Sequence, residues 1–140
     1  MTLNLHFDAF KTLLAGGILS GKVDDVVRLT EAGEPVRANY VVVGLDMPAL
    51  RDRRLTAPQA STDFAVYTFD VRSVAVDRAG VLLFAQTVRE RLLGHVLTVH
   101  GRACGPITLV EPVEEGRVQW DRTARLFYCD ESYRCASNRA

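Results

Sequence analysis

The sequence predicts an α+β domain in which a mostly antiparallel sheet carries two main helices on one face. Two stretches, 3–15 and 77–93, repeat apolar side chains at helical spacing, and two others, 64–76 and 124–136, alternate like half-buried strands. The two strands also share a polarity pattern, and the first runs directly into the second helix. Helices on one face of such a sheet bury both sets of apolar residues at once.

The first helix places Leu3, Phe7, Phe10 and Leu14 on one stripe, with Asn4 available as a cap and Gly16-Gly17 as the stop. A short strand is expected within 23–29, followed by a turn through Gly33 and Pro35 and a strand over 39–45. Tyr40-Val41-Val42-Val43-Gly44-Leu45 is apolar on both faces, which predicts a central strand. From about 46 to 63 the composition turns polar, with Pro48, Pro58 and the run Arg51-Asp52-Arg53-Arg54. A loop of that length inside a compact domain is either a functional surface or a solvated linker.

In the strand over 64–76, Ala65, Tyr67, Phe69, Val71 and Ala75 share one face, while Thr68, Asp70 and Arg72 share the other. Asp77 is placed to cap a helix whose stripe is Val81, Phe84, Ala85, Val88 and Leu92, with Gly94 closing it. Strands are then expected over 97–100 and 107–113, with a turn at Glu114-Glu115-Gly116. The last strand sets Phe127, Cys129, Tyr133 and Cys135 against Tyr128, Asp130, Ser132 and Arg134. Its likeness to the 64–76 strand predicts that the two are neighbours.

The 140 residues suffice for one core, so a single domain spanning 1–140 is expected. Seventeen basic and seventeen acidic residues balance, which argues against a general nucleic-acid binder, because neutralising phosphates requires a basic excess. No apolar run approaches the roughly 20 residues that span a bilayer, and the first residues lack a basic leader. A chain made in the cytosol is expected, and its three cysteines, an odd number, fit reduced thiols.

Catalytic motifs are absent from this pattern. His100 and Cys104 form a lone His-x-x-x-Cys, short of the four ligands, or three plus water, that zinc takes. Neither has the third group that a nucleophile–base pair needs. Gly16-Gly17 follows no strand and precedes no Lys-Ser/Thr, so no phosphate loop is indicated. No metal, cofactor or catalytic residue is therefore assigned. Trp120, the single tryptophan, is either a core or an interface anchor.

The order of parts resembles the tail terminator, or tail completion, proteins of long-tailed bacteriophages. The likeness lies in the opening helix, the Tyr40-Val41-Val42-Val43-Gly44 strand after a proline-containing turn, the polar loop and the strand–helix unit over 64–93. Within that unit Phe69-Asp70-Val71-Arg72-Ser73 precedes a helix containing Val88-Arg89-Glu90-Arg91-Leu92. It covers most of the chain through patterns of polarity, with no invariant catalytic residue. Residues 20–37 depart from it in length and charge, and the cysteine-bearing end has no counterpart in it.

The resemblance implies a virion protein at the tail–neck junction, assembled in the host cytoplasm. It implies a ring, commonly a hexamer, that ends growth of the tail tube and offers a surface to the head connector or stopper protein. The genome would pass through the lumen without sequence-specific contact. Arg51, Asp52, Arg53 and Arg54 are then candidates for contact with the tube or connector. Asp70, Arg72, Trp120, Asp130 and Arg134 are candidates for contact between subunits. Two alternatives remain: another neck component, such as a head completion or stopper protein, or a small α+β enzyme or ligand-binding protein centred on His100 and Cys104.

Overall fold

The computed structural model describes residues 2–46, 49–50, 64–110 and 117–139. Helix α1 (Thr2–Leu14) leads through a 3₁₀ turn (Gly17–Leu19) to β1 (Val23–Asp24). Strands β2 (Tyr40–Leu45), β3 (Ala49–Leu50) and β4 (Phe64–Ala75) come next, and then helix α2 (Arg78–Leu92). Strands β5 (Arg102–Cys104), β6 (Thr108–Val110), β7 (Gln119–Asp121) and β8 (Leu126–Arg139) complete the described elements.

The strands form one sheet in the order β1-β2-β4-β8-β5, with β3 also paired to β4, and β6 and β7 to β8. Among the described residues only β1 and β2 run parallel; the remaining pairings are antiparallel, so the expected α+β class holds. The predicted neighbours, β4 and β8, pair without interruption from Phe64↔Asn138 to Ala75↔Phe127. The free edge of β8 takes up β7, β6 and β5 in turn, which makes β8 the strand on which the sheet is organised.

Both helices lie on one face. Phe10 and Leu14 of α1, Phe84, Val88 and Leu92 of α2, and Phe69, Val71 and Tyr133 of the sheet share one buried cluster. The Phe10 and Phe69 rings stack with centroids 4.0 Å apart, an arrangement worth about 0.5–1.5 kcal/mol beyond its buried area. Asp77 caps α2 as expected, its carboxylate accepting from the Gly80 amide at 2.6 Å. The Arg91 guanidinium of α2 donates to the Leu13 carbonyl at 3.1 Å, tying the helices together. A Cβ at Gly16 would come within 2.6 Å of that guanidinium, so the glycine makes room for the tie as well as stopping α1.

Three expectations are corrected. Strand β2 lies one place from the edge, flanked by the two-residue β1, so it is not central. Its outer face is apolar because an arm over 25–38 folds across that end of the sheet, where Ala38, Tyr40, Val42, Val74, Leu126 and Tyr128 make a second small core. The strand expected within 23–29 is cut to two residues because the chain turns away into that arm, which is held by the Thr30 amide on the Glu34 carbonyl and by Gly33 at φ +81°. Residues 97–100 form no strand; Leu97 and Val99 are buried in the main core from irregular backbone, and the strand forms later, at β5.

Candidate functional site

The face of the sheet away from the helices carries the charges that the sequence singled out. Antiparallel pairing of β4 with β8 puts Arg72 opposite Asp130, Asp70 opposite Ser132 and Thr68 opposite Arg134. Arg72 grips Asp130 with two hydrogen bonds, Nε to Oδ1 at 2.7 Å and Nη2 to Oδ2 at 2.9 Å. Its guanidinium also lies 4.5 Å from the centroid of the Tyr128 ring. Ser132 Oγ donates to Asp70 Oδ1 at 2.8 Å. The bond to Asp130 is the main reason the Arg72 pKa is raised, against partial desolvation.

These groups floor a trough of about 400 Å³, walled by Asp25 and Val27 of the arm and dipping at Gly44, where β2 presents no side chain. Asp46, just past the end of β2, has its carboxyl pKa raised from 3.8 by burial, by the charge of Asp70 and by a hydrogen bond with it. Among the described lining residues carboxylates outnumber cations, with Asp25, Asp70 and Asp130 against Arg72, and Asp46 adjoins them through Asp70.

The other candidates are elsewhere. Arg134 is exposed farther along the same face, next to Thr108. Trp120 is half-exposed and tilts onto Phe127, with centroids 4.6 Å apart, on the helix side of the sheet. The Arg78 guanidinium sits over the same Phe127 ring at 5.8 Å. Arg51, Asp52, Arg53 and Arg54 lie outside the described residues.

The helix side holds buried polar groups that sequence reasoning overlooked. Glu131, nearly inaccessible, accepts from Arg89 Nε at 3.0 and 2.8 Å and also bonds to Arg89 Nη2. His6 is fully buried, stacks on Tyr67 and shares a 2.8 Å hydrogen bond with Ser137 Oγ, which also accepts from Arg102 Nε at 2.8 Å. The signals were present: His6, Phe10 and Leu14 recur every four residues, and Glu131 alternates in step with Cys129 and Tyr133. A charged or titratable side chain at an apolar phase was read past.

These groups are structural in their surroundings. Burial pushes the Cys135 thiol up to about 12, with Cys104 adding to the effect, which keeps it from acting as a thiolate at neutral pH. Cys104 Sγ lies 3.8 Å from Ser137 Oγ, and His100 is exposed in the turn before β5. Among the described residues no three His, Cys, Asp or Glu side chains stand together in a way that could hold a metal ion. None of the described helices is long and apolar enough to cross a membrane.

What the geometry defines is an α+β domain with one face closed by helices and the other left as a charged trough. No family model matches the chain, and no curated protein matches it. Among solved structures, the fold is similar to a chain in the virion of a native gene transfer agent particle, with a TM-score of 0.65 and 18% sequence identity over 93% of this chain and 91% of that one. At that identity the likeness is one of fold, and it runs almost end to end.

Proposed function

We propose that this protein is a structural component of a phage-like virion. In this reading it forms a closed ring, hexameric, at the head-proximal end of the tail tube, where it ends tube growth and joins the tail to the head connector. The observation that carries the reading is the nearly full-length fold likeness to a chain of a gene transfer agent virion. The open face adds support. A charged sheet surface with a bidentate ion pair at its centre is suited to contact with another protein, and interfaces favour arginine and aromatic anchors. Asp70, Arg72, Asp130 and Arg134 would serve such contacts, and so would Trp120. Arg51, Asp52, Arg53 and Arg54 would meet the tube or connector. No cofactor is needed, and the genome would pass through the lumen.

The test is to assemble particles without this protein and image them. Tails of uncontrolled length are expected. Tails of normal length with heads that leak genome would overturn the terminator role in favour of a stopper. Reversing the charges of Arg51, Arg53 and Arg54 should leave the fold and the ring intact while preventing tail–head joining; normal joining would remove these arginines from the contact.

A further inference from the structure

The trough and the Trp120 end of the sheet are opposite in character and cannot meet within one molecule. The trough lies on the open face, where Asp25, Asp70 and Asp130 line it, Asp46 adjoins it through Asp70, and Arg72 is the one cation among the described lining residues, already held by Asp130. At the other site, Trp120 is exposed on the helix side beside Phe127 and Arg78. Arg122 and Arg125 are exposed in the neighbouring β7–β8 turn. Among the described residues two exposed carboxylates share that region, Asp77 bonded to the Gly80 amide and Asp121 to the amides of Thr123 and Ala124. Among the described residues its surface is aromatic with a modest cationic excess, Arg78, Arg122 and Arg125 against Asp77 and Asp121.

We propose that the acidic trough of one subunit receives the Trp120–Arg122–Arg125 end of a second copy of the same chain. This assignment rests on the ring reading above and specifies its subunit contact. A second copy is favoured because the chain as a whole is electroneutral, with seventeen charges of each sign, so the acidic excess in the trough has its counterpart elsewhere on the same chain. Two unlike patches on one subunit make a head-to-tail contact, which is the kind that generates rings when the rotation closes. Gly44 gives the trough its depth. A Cβ there would meet only Asp70 Cβ, at an ordinary 4.0 Å, and the backbone is not left-handed, so neither contact nor conformation demands glycine at this position. The open dip is what an inserted aromatic or guanidinium group would fill.

The experiment uses three variants of the full chain and native mass measurement. Gly44→Leu fills the trough, and Asp70→Lys serves as a second way to spoil it. Trp120→Ala combined with Arg122→Glu spoils the other patch. Each variant should melt like the wild type and remain monomeric where the wild type forms rings. Mixed together, a trough variant and a patch variant retain one sound contact between them and should stop at a one-to-one dimer. Rings that persist in all three variants, or a mixture that stays monomeric while the wild type forms rings, would overturn the pairing and leave the ring reading standing. A wild-type chain that remains monomeric at all concentrations and on tube ends would overturn both.

Discussion

The two faces of the sheet are made by alternate residues of the same strands, yet they treat charge in opposite ways. On the helix side Glu131 is enclosed, its side chain 5% exposed, and Arg89 reaches in from α2 to bond it. On the open side Arg72 and Asp130 hold each other with comparable geometry while remaining 47% and 35% exposed. An enclosed pair whose partner is removed leaves a charge without water or protein to satisfy it. An exposed pair that loses a member simply exchanges it for solvent. The helix side therefore uses ionic groups to hold the fold together, and the open side leaves them exposed.

Substitutions that separate fold from assembly sharpen this contrast. The largest expected effect is that of Phe69→Ala, which empties a fully buried position stacked on Phe10 and should cost about 3–5 kcal/mol in denaturant unfolding. Unchanged melting would mean the faces are assigned the wrong way round. Arg89→Ala leaves the Glu131 carboxylate enclosed without its partner and should cost about 1–3 kcal/mol. The matching change on the open side, Arg72→Ala, should cost less than about 1 kcal/mol of stability. If Arg72→Ala proved as damaging as Arg89→Ala, the two faces would not differ as described.

The smallest effect should come from Asp46→Asn. The Asp46 carboxyl pKa is raised above 3.8 in the folded protein, so its ionised form disfavours folding at neutral pH and the penalty disappears once the group is protonated in both states. The variant should melt slightly above the wild type at neutral pH. That advantage should fade as the pH falls through the folded pKa toward 3.8, and an advantage that grew on acidification would contradict the sign.

Much of this arrangement was legible in the residues. Matching polarity in 64–76 and 124–136 was enough to place β4 beside β8, because antiparallel partners share their inward and outward faces. Asp77 followed by an apolar stripe located α2. Less could be read where long-range packing decides. Tyr40 and Val42 face an arm whose position no local pattern announces, and Leu97 and Val99 reach the core without forming a strand. Of the candidate site, the register joined Asp70, Arg72 and Asp130, while the contributions of Asp25 and Asp46 depend on how the chain bends after β1 and β2. His6 escaped notice because its partner, Ser137, is 131 residues away.

Strand β8 follows in the chain every element it holds together. Until it emerges during synthesis, β4 has one long hydrogen-bonding edge bare, β5, β6 and β7 have nothing to join, and His6 waits for Ser137. Pairings so distant in sequence form slowly, and a bare apolar edge invites other chains meanwhile. Crowded synthesis of many copies would therefore favour mispairing before closure, and a chaperone that shelters the β4 edge should raise the yield of folded protein.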